Sequence, residues 1–261
     1  MKKFSSLLHN LILTPSRNTK IKLLQDYFKI LDINRAYALA ILSDQLSFQF
    51  IKASKLRELV YEQVDQHLFD YSYDYVGDLA ETISLIWPTN KEGKSQNLST
   101  LIENIKKIKK SEINTEFSKI LSELSNNERW TLIKICTGGL RIGVSERLVK
   151  TALADLYNKS VNEIEEIWHG LEFPYDNLFQ WLKNETSKPK IDFKKLFHPM
   201  MLANPIDEEK DFKRLDANEF QAEYKWDGIR VQLMVSSKSV SLYSRTAVSY
   251  THLRAHETNL D

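Results

Sequence analysis

The spacing of apolar residues changes period once along this chain, and the change restricts it to a helical assembly followed by a segment built of strands. From Phe4 to about residue 184, apolar side chains recur three and four positions apart. Phe4, Leu7, Leu8, Leu11 and Ile12 set the pattern, and "TPSRNTKIKLLQDYF" restarts it behind a Thr-Pro-Ser entry signal. It continues through "NRAYALAILSDQL", "KLRELVYEQVDQHLF", "GDLAETISLIW", "LSTLIENIKKIKK", "TEFSKILSEL", "NERWTLIKIC", "SERLVKTALADLY" and "VNEIEEIWHGL", with only short polar breaks. No repeat period or repeated signature supports a solenoid. Residues 1–184 are therefore expected to be all-α.

The stripe then stops. "KNETSKPKIDFKKLFHPMMLANPIDEEKD" contains three of the six prolines, Pro189, Pro199 and Pro205, and predicts a connection over 185–205. Beyond it, "FQAEYKWDGIRVQLMVSSKSVSLYSRT" carries the alternation and the β-branched and aromatic content of two strands, joined by a polar turn at Ser236 to Ser239. Residues 206–246 are expected to begin a second, strand-containing domain.

Composition narrows the setting without naming a partner. With 42% hydrophobic and 27% charged residues the chain reads as globular, and its 36 basic against 35 acidic side chains give a net charge of +1. Any attraction to a polyanion must then come from local patches. The single cysteine, Cys136, cannot close an intramolecular disulfide, which fits a reducing compartment and predicts a buried structural thiol; the expected location is cytoplasmic. No apolar run approaches the ~20 residues of a membrane span, and "MKKFSSLLHNLIL", interrupted by His9 and Asn10, reads as a helix and not a signal peptide.

Within "EYKWDGIRVQL" the alternation reverses its sense. Before Asp227 the odd positions are polar (Glu223, Lys225) and the even ones aromatic (Tyr224, Trp226); after Gly228 the odd positions are apolar and the even ones polar (Arg230, Gln232). One regular strand cannot do this, since residues i and i+2 share a face. A loop or bulge at Asp227-Gly228 is expected, gathering Glu223, Lys225 and Arg230 around one pocket while Tyr224 and Trp226 pack on the core.

The run Lys225-Trp226-Asp227-Gly228-Ile229-Arg230 resembles the first motif of the covalent nucleotidyltransferases, the polynucleotide ligases and mRNA capping enzymes. With Glu223 ahead of it, Arg245 in "YSRT", and the stretches "LTPSRN", "YDYVGDLAETISLIWP", "GGLRIGVS" and "HPMMLANP", the chain is similar to ATP-dependent DNA ligases of the bacterial type as far as Thr246. That resemblance implies a mainly α chain: an all-α helical N-terminal DNA-binding domain, then the first β-hairpin of an α+β, ATP-grasp-like nucleotidyltransferase domain. It implies that Lys225 attacks the α-phosphorus of ATP and releases pyrophosphate, a step that needs a neutral amine although the reference pKa of lysine is about 10.4. It implies further that Glu223 meets the adenine amino group and that Arg230 and Arg245 meet ribose or phosphates, for which a planar guanidinium is suited. AMP then passes to the 5′-phosphate of a nick and the 3′-hydroxyl seals the strand. Magnesium, nicked duplex DNA as partner and a monomeric state complete the implied picture.

Two stretches of the helical part can receive phosphate. In "CTGGLRIGVSERLVKTALADL" a Gly-Gly break closes one helix, and Gly143-Val144-Ser145 precedes the next with Ser145 as N-cap. Amides exposed there, with Arg141 and Arg147, can hold a phosphate, or the glycines can serve only a tight turn. In "TPSRNTK", Thr14, Ser16, Arg17 and Lys20 pose the same choice between contact and capping. The ligase resemblance favours DNA contact for Gly139, Arg141, Gly143, Ser145, Thr14, Arg17 and Lys20. "KKIKK", Lys106 to Lys110, is read as the solvated face of a helix whose apolar stripe is Ile102, Ile105 and Ile108. Asp74 and Asp78 are read as helix-start carboxylates, and no metal ligands are assigned; His252 and His256 lack the Glu of a His-Glu-x-x-His site.

After Thr246 the resemblance calls for glycine and an acidic residue, further glutamates for metal, a lysine for the α-phosphate and an OB-fold. "AVSYTHLRAHETNLD", 247–261, follows instead and is expected to be a non-native tail, leaving the chain itself inactive in ligation. The rival classes are a noncatalytic helical nucleic-acid-binding module and an RNA ligase or capping-type nucleotidyltransferase.

Overall fold

The computed structural model describes residues 1–30, 33–46, 50–88, 96–138, 140–191, 198, 205–221, 223–224, 228, 230–236 and 239–244. In chain order the helices are α1 (Lys2–Leu13), α2 (Arg17–Phe28), α3 (Asn34–Leu42), α4 (Ala53–Tyr61), α5 (Gln66–Val76), α6 (Leu79–Ile86), α7 (Leu98–Lys107), α8 (Ile113–Glu123), α9 (Asn126–Thr137), α10 (Glu146–Tyr157), α11 (Val161–Trp168), α12 (Asp176–Leu182) and the short α13 (Glu208–Asp211). Two strands follow, β1 (Val231–Ser236) and β2 (Ser239–Ser244). The chain divides into two compact units. One comprises Met1–Lys159 and Glu172–Thr186, the other Ser160–Leu171 and Ser187–Asp261.

The first unit is wholly helical among the described residues. α2 packs on α10 and α1, α1 also on α9, α6 on α9 and α5, and α3 on α7 and α10. Phe4, Leu8, Leu11, Leu24, Phe28, Leu39, Leu56, Phe69 and Phe117 are buried where these helices meet, each worth roughly 1.5–3 kcal/mol of apolar burial. Cys136 is buried as expected, and burial pushes its thiol well above the usual range, so it is an inert packing group.

Local chemistry sets the helix boundaries. The expected single helix over "KLRELVYEQVDQHLF" is two: α4 ends at Tyr61, and Asp65 starts α5 by accepting from the Leu68 N–H at 3.0 Å. The apolar stripe crosses this break, so periodicity alone did not reveal it. Gly77 at φ 75 closes α5, and Asp78 caps α6 by accepting from the Glu81 N–H. Asp78 is therefore a helix-start carboxylate, whereas Asp74 lies in the last turn of α5 and is not.

Asp78 also holds α6 on α9 through Lys134, 2.5 Å from its Oδ2. Partial burial would raise its carboxyl, but the Lys134 ammonium and the Glu81 and Ala80 N–H groups outweigh this and hold it below the usual range. A carboxyl lowered in the folded state stabilises above its unfolded pKa, and the contribution is lost as pH falls through the folded value. Asp78→Asn preserves the cap and removes the charge, so it is expected to cost about 1 kcal/mol or less at neutral pH after solvent screening and to flatten stability against pH below about 4. Urea melts at pH 7 and pH 3 check both effects; an unchanged acid-side slope would show that the pair contributes nothing.

Arg129 of α9 is fully buried and serves as a hub. Its Nε donates to Leu121 O at 2.8 Å, one terminal nitrogen to Ser84 O at 2.8 Å, and the other to Leu124 O at 2.9 Å. These carbonyls close α6 and α8, whose partially negative ends meet the guanidinium. Burial draws its pKa down to about 10, leaving it charged at neutral pH.

In the second unit β1 and β2 form an antiparallel hairpin with Val231 opposite Ser244 and Ser236 opposite Ser239, the turn position read from sequence. Tyr243 is buried, with Met234 packed against it and its ring 4.6 Å from that of His169. The Gln232 side chain exchanges two hydrogen bonds with the His198 backbone, at 2.8 and 3.0 Å. Val231, Leu233, Val235 and Val240, on the opposite face, are exposed.

Candidate nucleic-acid interface

Two helix starts distant in sequence meet in the first unit. At the α1–α2 turn the Thr14 hydroxyl accepts from the Ser16 N–H, and the Ser16 hydroxyl accepts from the Thr19 N–H, each at 3.3 Å. That cap accounts for Thr19, and the Arg17 and Asn18 amides, also in the first turn of α2, have no partner among the described residues. At the α9–α10 turn Gly138 closes α9 at φ 73, and Ser145 caps α10 by accepting from the Leu148 N–H at 3.2 Å.

Lys20 joins the two turns. Its half-buried ammonium donates to Gly143 O at 2.9 Å and to Ile142 O at 3.4 Å. Gly143 sits at φ 65, and a Cβ placed there would come 2.7 Å from Lys20 Nζ, so a side chain would disturb both the backbone and the lysine. The result is an open cleft of about 500 Å³ whose walls include Arg17, Lys20, Gly143, Val144 and Ser145. Arg17, Arg141 and Arg147 are exposed, Arg141 at a positive φ of 26. The Glu146 carboxylate in the first turn of α10 is 2.5 Å from the buried Lys150 ammonium, which offsets its negative charge. Two positive helix ends and several cations thus converge where an anion can bind.

Of the residues expected to contact phosphate, Arg17, Lys20, Gly143 and Ser145 line this cleft, Thr14 caps its edge, and Arg141 stands exposed beside Ile142. Gly139 lies outside the described residues. Pro15, Val144 and Leu148 complete the lining and were missed, since apolar residues at a turn carry no charge signal.

The lysine segment is described only at its margins. Glu223 and Arg230 are exposed and precede β1 in irregular backbone, and Gly228 has open space where a Cβ would be. Tyr224 is 91% exposed, which overturns the expectation that it packs on the core: the strand alternation it was read from begins only at Val231. Lys225, Trp226, Asp227 and Arg245 lie outside the described residues, as does the tail from 247. Among the described residues no three His, Cys, Asp or Glu side chains cluster as metal ligands, and no helix is long and apolar enough to cross a membrane.

Fold and site together define a class: a helical unit presenting an anion-receptive junction, followed by a hairpin behind a Glu-x-Lys-x-Asp-Gly segment. The chain belongs to the ATP-dependent DNA ligase family: the model for the DNA ligase N terminus matches residues 1–154, and that for the ATP dependent DNA ligase domain matches 200–260. Among similar proteins are a DNA ligase of Nitrosopumilus maritimus (strain SCM1), 35% identical over 49% of this chain and 23% of the relative. A probable DNA ligase of Koribacter versatilis (strain Ellin345) is 31% identical over 49% of this chain and 22% of its own length. A DNA ligase of Cenarchaeum symbiosum (strain A) is 27% identical over 51% and 24%. The matched stretches span less than a quarter of these relatives.

Proposed function

We propose that this chain supplies the DNA-gripping helical unit and the nucleotide-accepting lysine of an ATP-dependent ligase that seals nicks in duplex DNA. In this reading residues 1–184 form the DNA-binding domain, 185–205 the linker and 206–246 the start of the adenylation domain. Thr14, Arg17, Lys20, Gly139, Arg141, Gly143 and Ser145 hold the sugar–phosphate backbone, positioning the duplex without reading its sequence. Lys225 is the nucleophile that takes AMP and yields it to the 5′-phosphate before the 3′-hydroxyl closes the strand. Glu223 offers an acceptor to the adenine amino group, while Arg230 and Arg245 offer forked donors to ribose or phosphate; the exposure of Glu223 and Arg230 leaves both accessible to a nucleotide. Magnesium neutralises phosphate charge during transfer, and no residue of this chain is assigned to it. The protein is read as a cytoplasmic monomer.

The observation that carries this reading is the Lys20 bridge, which assembles two helix starts and their cations into one cleft inside the stretch matched by the ligase N-terminal model. The test is equilibrium binding of the 261-residue chain to a nicked duplex. Arg17→Glu with Lys20→Glu is expected to weaken it about tenfold or more and to reduce the salt slope by about 2, as for two lost phosphate contacts. Unaltered affinity and slope in a folded variant would reduce the junction to a structural turn.

A further inference from the structure

A second cleft, between the start of α4 and the end of α7, has no part in the reading above. Its volume is about 660 Å³. Phe50, Ile51, Ile108 and Ile113 form an apolar floor, and Lys52, Lys55, Lys106 and Lys110 stand around it with Glu58 as the single carboxylate. The spacing of Ile102, Ile105 and Ile108 predicts a solvated helix face for the "KKIKK" lysines. Instead α7 ends at Lys107, and Ile108 to Lys110 leave the helix, so that Ile108 is half-buried at the floor and Lys106 and Lys110 flank it.

The floor is held in place. The Phe50 and Ile51 N–H groups both donate to Cys136 O, at 3.0 and 3.3 Å, tying this wall to the buried end of α9. The Phe50 ring packs 5.7 Å from that of Phe117 in the core. Around the rim the charges are unequally satisfied. Lys55 pairs with Glu58 and Lys106 with Glu103, at 2.7 and 2.9 Å, but neither Lys52 nor Lys110 has a carboxylate at salt-bridge distance among the described residues. α4, moreover, starts without a side-chain cap.

A rigid apolar floor inside a cationic rim is complementary to a ligand that is both apolar and acidic. A nucleic-acid backbone would use the lysines and leave the floor without a partner. Nor does an isolated small anion need four apolar side chains. We propose that this cleft docks an acidic segment of a partner protein, seating aromatic or aliphatic side chains on the Phe50–Ile113 floor and carboxylates on Lys52 and Lys110. The proposal does not depend on the ligase reading.

The probe is a fluorescein-labelled synthetic peptide with a Trp-Phe pair flanked on both sides by Asp and Glu, titrated with the 261-residue chain and followed by anisotropy. Saturable binding is expected, weakening with salt, reduced about tenfold by Lys52→Glu with Lys110→Glu, and reduced at least as much when the peptide's Trp-Phe becomes Ser-Ser. Both lysines are exposed, so the double variant should fold; Ile108→Ser tests the floor separately, and thermal melts verify both. Equal binding of the two peptides would overturn the proposal, as would indifference to both sets of substitutions. It would also fall if the double variant lost nicked-duplex affinity, making the rim a DNA surface, or if sedimentation showed that the substitutions abolish self-association, making a second copy the occupant.

Discussion

Lys225→Ala, made in a full-length ligase carrying this chain, is expected to bring covalent labelling by α-labelled ATP down to background, a loss of at least about a thousandfold. In the proposed reaction alanine removes the atom that would bond to phosphorus, and the sequence neighbours Glu223 and Asp227 carry no amine to replace it. Binding of nicked duplex by the helical unit should survive, because the Lys20 cleft is built from residues 14–20 and 141–148. Glu223→Gln and Arg230→Ala should act differently, raising the ATP concentration required while leaving a labelled product. Acid-labile adenylate at undiminished yield on the alanine variant would remove Lys225 from its role and take the proposed reaction with it.

Arg129→Met should destabilise the helical unit by about 3–5 kcal/mol, against a total of about 5–15 kcal/mol for a typical domain. Methionine approximates the aliphatic stem but leaves Ser84, Leu121 and Leu124 carbonyls without their donor inside the core. Lysine cannot rescue the site, since a single ammonium does not reproduce three donations in divergent directions. Denaturant unfolding, read as a midpoint shift at unchanged m-value, measures the effect. A loss under about 1 kcal/mol would mean that the carbonyls find water or other donors.

The helical succession was legible because amphipathic periodicity is local: the apolar stripes read over 1–171 fall on helices, except where one proved to be two helices parted at Asp65 and where another runs past the end of α7 to Ile108. Capping was equally local, and Ser145 was named as an N-cap from its place before "ERLVKTALADL". Tertiary partnership was not legible. Periodicity shows which face of α2 is buried but not that Lys20 reaches a carbonyl 123 positions away, nor that Arg129 in "NERWTLIKIC" is buried as a hub. The lysines of "KKIKK" were assigned to a helix that ends among them. The bulge expected at Asp227-Gly228 falls mostly outside the described residues, and the packing inferred for Tyr224 assumed a strand, whereas β1 begins only at Val231.

The Lys20–Gly143 bond joins positions 123 apart in sequence, and α2 packs directly on α10, so the cleft stands on the tertiary packing of the unit. Unfolding of the unit, as by loss of the Arg129 hub, would therefore open the cleft without touching a residue that lines it. The converse also holds. A duplex bound across both lips would clasp the unit shut and raise its melting temperature with ligand concentration, making heat resistance a direct gauge of occupancy.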